Sequence, residues 1–153
     1  MPKINIESIA PFTGSFYPEP HASQMGERAF RPLGDAAGLT QFGVDLVTLQ
    51  PGATSSLRHW HTAEDEFVWV VSGELVLVQD GGETVLKAGD AAGFKAGDTD
   101  GHQLQNRSGA PAQVLVVGTR AESDTCTYSD VDLIARREGA RSWFTRRDGS
   151  VVK

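Results

Sequence analysis

The sequence predicts an all-β single domain, and three observations carry that expectation. Glycine supplies 17 of the 153 residues, above its usual share, and the glycines divide the chain into short stretches, as many tight turns require. Apolar stretches recur between these turns at intervals of about eight to twelve residues, the spacing of a β-sandwich or rolled barrel. The length suits one domain with its own core.

The elements follow in order. Residues 1–39 show little periodicity. PFTGSFYPEP holds three prolines and reads as an irregular arm laid across the barrel or a neighbouring subunit. The strand series occupies residues 40–120. It begins in QFGVDLVTLQPG, where Phe42, Val44, Leu46 and Thr48 alternate and Pro51 and Gly52 close the segment. Residues 54–61 form a second extended piece ending in His59, Trp60 and His61. TAED connects to EFVWVV, Ser72 and Gly73 turn the chain, and ELVLVQD returns. Asp80, Gly81 and Gly82 are a strong hairpin signal before GETVLKAGD. Residues 91–94 and 102–106 read as short strands, and PAQVLVVGTR as a late, very apolar one. Beyond Arg120 the pattern weakens. Residues 121–153 are expected to pack as a tail on the barrel or on a partner subunit, with either a short helical turn around Asp130 to Arg137 or an extended path.

Composition excludes several function classes. A net charge of −6 disfavours nucleic acid and anionic membrane surfaces as partners. No apolar run is long enough for a membrane-spanning helix. No Gly-rich phosphate loop followed by Lys-Ser or Lys-Thr is present. Cys126 is the single cysteine, so there is no internal disulfide framework. With no secretory pattern in MPKINIESIAPFTG, a cytoplasmic location is expected. Arg136, Arg137, Arg141, Arg146 and Arg147 are expected to form a solvated, salt-bridged rim.

Three of the four histidines fall in one constellation. His59 and His61 are two residues apart and share one face of a strand. Glu66 follows, and His102 lies at least one hairpin downstream. Neutral imidazoles with one carboxylate suit a divalent Fe, Mn, Ni or Zn ion and leave positions open for water or substrate oxygens. Parity favours Glu66 over Asp65 as the carboxylate, because Val68 and Val70 then line the interior and Asp65 falls in the preceding turn; Glu64 is a weaker candidate still. The same parity sends Phe67, Trp69 and Val71 outward, where large apolar side chains point to a second copy of the chain, a homodimer. Trp60 and Arg58 point away from the proposed ion.

The stretch GATSSLRHWHTAEDEFVWVVSG, residues 52–73, resembles the first motif of the cupin family at Gly52, His59, His61, Glu66 and Gly73. GDAAGFKAGDTDGHQLQN, residues 89–106, resembles the second at Gly89, Gly97, His102 and Asn106. Lys95 stands where the family usually has proline, and the stretch from Gly97 to His102 exceeds the shortest family form. The resemblance implies a double-stranded β-helix, the jelly-roll barrel of cupins, with one metal ion held by His59, His61, Glu66 and His102. It also resembles small single-domain bacterial cupins loosely labelled sugar-phosphate isomerase-like. The expected function is a metal-dependent enzyme acting on a small organic molecule. A dioxygenase stands first, because no second acid is evident inside the barrel. An isomerase or lyase, with Glu66 as base if it releases the ion, and a noncatalytic ligand-binding cupin are the alternatives.

Overall fold

A computed structural model describes residues 3–153. The chain forms β1 (Arg28–Pro32), α1 (Leu33–Ala36), β2 (Phe42–Leu49), β3 (His59–His61), β4 (Glu66–Ser72), β5 (Glu74–Gln79) and β6 (Gly82–Lys87). It continues through β7 (Ala91–Phe94), β8 (Gln103–Gln105), β9 (Ala112–Thr119), β10 (Ser123–Tyr128), β11 (Ile134–Glu138) and β12 (Arg141–Thr145). The all-β expectation holds.

Three antiparallel sheets result, in the orders β1-β2-β9-β4-β7, β12-β11-β10-β3 and β6-β5-β8. Among the described residues none of them closes on itself. The second and third are joined by the isolated bridges His59↔His102 and Thr54↔Gln105, so they act as one layer facing the five-stranded sheet. The core lies between the layers. Val47, Leu49, Val68, Val70 and Val114 come from the five-stranded sheet, and Leu75, Leu77, Leu86 and Leu104 from β5, β6 and β8. Burying each such side chain contributes about 1.5–3 kcal/mol relative to leaving it in water.

Two parts differ from the sequence reading. Arg28–Pro32, within the expected arm, is a strand on the sheet edge, paired with β2 from Arg28↔Leu49 to Pro32↔Asp45. An edge strand tolerates its terminal proline because no ladder donor is needed on the open side. Residues 134–138 take the extended one of the two expected paths, but as a paired strand rather than an outer tail. They pair with β10 and β12, which turns the expected tail into three strands of the layer that carries β3.

On β2 the alternating set Phe42, Val44, Leu46 and Thr48 is the outer one. The inner face carries Val47 and Leu49, both fully buried, and by the same parity Asp45. On β4 the parity is as expected: Val68 and Val70 are buried, while Phe67, Trp69 and Val71 are exposed. The β4–β5 connection depends on Gly73, at φ +78°, where an added Cβ would meet the Ala112 Cα at 2.8 Å.

Candidate metal centre

β3 is only three residues long, and its neighbours on both sides fix it. It pairs with β10 through His61↔Cys126, Trp60↔Thr127 and His59↔Tyr128. On its other side the His59 amide donates to the His102 carbonyl at 3.1 Å, and the His102 amide donates to the His59 carbonyl at 2.9 Å. Directly opposed residues present side chains on the same face, so the two imidazoles sit together with ring centroids 4.5 Å apart. Glu66 opens β4 in the opposite layer and is paired with Phe94. The Phe94 ring stacks on His102 at 3.6 Å, with 2° between the planes. Elements from both layers therefore deliver the four side chains singled out in the sequence to one place.

Their polar atoms converge. Glu66 Oε2 lies 2.7 Å from His102 Nε2, 3.3 Å from His59 Nε2 and 3.5 Å from His61 Nε2. Yet this buried oxygen has no aligned hydrogen-bond partner. Three nitrogens facing one oxygen without hydrogen-bond alignment is the disposition of ligands around a common centre. Ligands at about 2.1 Å from an ion are separated by roughly 3.0–3.4 Å along the edges of an octahedron or tetrahedron; the His59 separation falls in that range, with His102 closer and His61 slightly farther. His59, Glu66 and His102 form one group whose donor atoms all lie within 4.8 Å of one another, and His61 reaches the same oxygen from its side.

The opposite ring nitrogens fix the tautomers. His59 Nδ1 donates to the Leu57 carbonyl at 2.8 Å, and His61 Nδ1 donates to Asp124 Oδ2 at 2.6 Å. With the proton held on Nδ1, the Nε2 lone pair is free to face a cation. Asp124 is itself anchored, accepting from the Ala63 amide at 2.9 Å and the Thr62 hydroxyl at 3.3 Å. His102 Nδ1 is buried without a partner, so the Phe94 stack alone orients that ring.

The charges of the metal-free cluster follow from the same contacts. Burial opposes ionisation of Glu66, but the surrounding His102, His59 and His61 outweigh it and hold the carboxyl well below its ordinary range. Burial likewise disfavours the His61 cation, but Glu66 and Asp124 overcome it and push the imidazole up to about 9. Burial keeps His102 below its ordinary value despite Glu66. The resting cluster thus balances its carboxylate with a proton on His61, which a divalent ion can replace.

Other groups near the site are already engaged. Glu64 accepts from the Ala121 amide and pairs with Arg137, and the Asp65 side chain accepts from the Ala96 amide. Both competing carboxylates therefore have structural roles. Arg58 pairs with Asp80 and Asp130, away from the cluster. Of the C-terminal arginines, Arg137 serves Glu64, Arg147 donates to backbone carbonyls and Arg141 lies over Trp143. Asn106, fully buried, donates to the Leu49 and Ala110 carbonyls, a structural role. Cys126 faces the site beside His59 and His61, but burial pushes its thiol up and keeps it neutral.

Two openings meet the cluster. A cavity of about 220 Å³ lies between the layers, walled by Phe30, Val47, Val68, Leu104 and Val116, with Tyr17, Tyr128 and Cys126 on one side. A small polar mouth of about 40 Å³ carries Trp60, Glu64, Lys95, Asp98 and Asp100. Trp60 therefore borders the mouth rather than packing away from it.

The sequence reading missed two residues. Asp124 sits in the weakly patterned C-terminal region. Its signal was the alternation Asp124, Cys126, Tyr128, all buried along β10. Asp45 lines the same cavity as His59, Glu66 and His102, although no second acid was expected inside. Burial and the nearby Asp35 raise its carboxyl above the ordinary value, while Arg120 works the other way.

Comparison with known proteins places this geometry in a family. A family model described as a cupin domain matches residues 45–118. A crystal structure described as a sugar phosphate isomerase from a cupin superfamily, from Silicibacter pomeroyi, is 51% identical. The match covers 99% of this chain and 97% of that one, with a TM-score of 0.96. A protein from Acidithiobacillus ferrooxidans, provisionally described as a sugar phosphate isomerase, is 27% identical over 84% of this chain and 81% of that one, with a TM-score of 0.76. A predicted oxalate decarboxylase from Thermotoga maritima shares the fold at 22% identity, covering 78% and 99% of the two chains, with a TM-score of 0.63. No match is found among curated proteins.

Proposed function

The chain belongs to the cupin superfamily, and from that premise we propose that it is a metal-dependent enzyme moving a proton on a small organic substrate, as an isomerase or lyase does. One observation carries the reading: the convergent donor set and a separate carboxylate, Asp45, open onto one cavity. His59, His61, Glu66 and His102 would hold one divalent Fe, Mn, Zn or Ni ion, and the two facing layers support the rolled double-stranded β-helix that usually frames such a site. When bound, the ion supplies Lewis acidity to a substrate oxygen. Asp45 takes a proton from the carbon beside the polarised carbonyl and returns it to the neighbouring atom. Burial suits Asp45 to that exchange, because a carboxylate whose pKa is raised is the stronger base towards a carbon-bound proton. Glu66, committed to the imidazoles, need not leave them to act as base. Tyr17, which burial pushes up to about 12, stays neutral and supplies a hydroxyl to the cavity wall. The dioxygenase reading rested on there being no second acid inside, and Asp45 removes that reason. Exposed Phe67, Trp69 and Val71 support pairing with a second copy.

The reading is tested in two steps. Purified protein should hold about one transition ion per chain by elemental analysis, and His61→Ala should lose it; full metal content in the variant would refute the ligand set. In deuterium oxide, wild type should exchange the α-protons of an α-hydroxyketone. Asp45→Asn, with unchanged metal, should do so about 10²–10⁴-fold more slowly. Oxygen consumption without exchange would return the assignment to a dioxygenase.

A further inference from the structure

The relatives' description raises the question whether the substrate carries a phosphate, and the cavity speaks to it. A bound phosphate dianion needs clustered cations or a run of free backbone amides. Among the described residues lining the inner cavity there is no lysine or arginine, whereas two carboxylates, Asp45 and Glu66, face it. The mouth offers Lys95 alone against Glu64, Asp98 and Asp100. The remaining wall of the inner cavity sets Phe30, Val47, Val68, Leu104 and Val116 beside the uncharged Ser55, Ser56, Tyr17 and Tyr128.

The cavity continues outward. A wider vestibule of about 430 Å³ shares Phe30 and Asp45 with it and is walled by Phe12, Phe16 and Pro32. Phe12 and Phe16 stack there with centroids 4.9 Å apart, and Phe16 is 82% exposed. Arg28 is the vestibule's cation, but it is in use. Its guanidinium lies over the Tyr17 and Phe30 rings, at 5.9 and 5.1 Å, and donates to the Ser55 carbonyl. Asp45 lines the same space, as does Asp35, whose carboxylate is paired with Arg120. The inner cavity, about 220 Å³, equals the liquid volume of about seven waters, enough for a six-membered ring.

We infer that the substrate is an unphosphorylated oxygen chelator with an apolar, ring-sized body, which reaches the metal donors through the aromatic vestibule of Phe12, Phe16 and Phe30. The inference rests on the metal reading above and specifies its substrate. The ring lies against Val47, Val68, Leu104 and Val116, its two oxygens point at the donor cluster, and Asp45 stands at the neck between vestibule and cavity.

The test uses a matched pair of α-hydroxyketones, 2-hydroxy-1-phenylethanone and dihydroxyacetone phosphate, titrated into full-length protein loaded with cobalt(II) while its visible absorption is followed. The phenyl ketone should bind at least tenfold more tightly. In Asp45→Asn the phosphate compound should gain at least threefold, because a repelling charge is removed. Equal or tighter binding of the phosphate, or no response to either compound at about 10 mM, overturns the substrate class and leaves the metal reading standing. If no cobalt spectrum forms, the metal reading fails separately. Saturation-transfer NMR on the metal-free protein then decides the rest: transfer to the phenyl protons supports the apolar cavity, and its absence overturns it.

Discussion

Asp124 touches no substrate, yet its loss should be felt at the metal. Its Oδ2 holds the His61 Nδ1 proton at 2.6 Å, while its Oδ1 accepts from the Ala63 amide at 2.9 Å. Asp124→Asn keeps the shape but has only one carbonyl oxygen to offer. If that oxygen serves Ala63, the new amide group faces His61 Nδ1 as a donor. The imidazole proton is then driven to Nε2, where the lone pair is needed. If the oxygen serves His61, the Ala63 amide meets a donor instead. Removing a partner that orients a metal-ligating histidine costs about 10–100-fold in metal affinity, or about 1.4–2.7 kcal/mol. Competition with a chromogenic chelator at fixed pH reads this directly. Glu83→Gln, at an exposed carboxylate paired with Arg107, serves as control and should change affinity by less than about twofold. If Asp124→Asn binds metal within about twofold of wild type while melting normally, Asp124 does not set the His61 tautomer and the orientation argument fails.

The raised His61 makes metal binding pH-dependent. Below about 9 the ion must displace a proton, so affinity should rise by up to about tenfold per pH unit from 7 towards 9, flattening near the upper end, with proton release seen by calorimetry in buffers of different ionisation enthalpy. In chelator-treated protein the same proton contributes stability. Because the folded pKa lies above the unfolded value, that contribution is complete below about 6.5 and is lost as pH rises through about 9. The urea-unfolding difference between wild type and His61→Gln should shrink over that window. Gly73→Ala should destabilise by at least about 2 kcal/mol more than Gly97→Ala. Both positions have positive φ, but only at Gly73 would the added Cβ strike backbone, at Ala112 and Pro111; comparable urea midpoints would refute this. Trp69→Glu should convert a homodimer to a monomer by light scattering, since Trp69 is 43% exposed on an apolar face with Phe67 and Val71, and an unchanged mass would place any interface elsewhere.

Legibility followed the strength of local patterning. The four clustered side chains were readable because period-two parity in β3 and β4 is strict, and parity separated Glu66 from Asp65, whereas Glu64, of the same parity, was set apart only by its contacts with Ala121 and Arg137. Their convergence was not readable from spacing, since it depends on the His59↔His102 bridge and the docking of β4 across the core. On β2 the pattern misled. Phe42, Val44 and Leu46 look like an inner face, but β2 carries apolar residues on both faces, and one carboxylate, Asp45, is hidden among the inner set with Val47 and Leu49. Arg28–Pro32 and Ile134–Glu138 were obscure for a different reason. Arginines and a proline dominate them: β1 is an edge strand that needs little hydrophobic alternation, and β11, though flanked by β12 and β10, is only half-buried along its length. Asp124 became meaningful only once β10 was seen to lie against β3.

The donor set also sits at the weakest seam of the architecture. β3 and β8 are held by isolated bridges rather than a continuous ladder, and one of those bridges is made by His59 and His102 themselves. Glu66 reaches the same point from the other layer. Without an ion, this seam is held by a carboxylate surrounded by imidazoles, one of them carrying a proton. With an ion, the proton leaves and the same atoms face a cation. The metal-free protein is therefore arranged much as the loaded one must be, with the rings already turned by Leu57, Asp124 and Phe94. Such preorganisation lowers the ordering cost of binding, and it explains why so short a strand as β3 is anchored on both flanks: two of the four donors depend on its three residues.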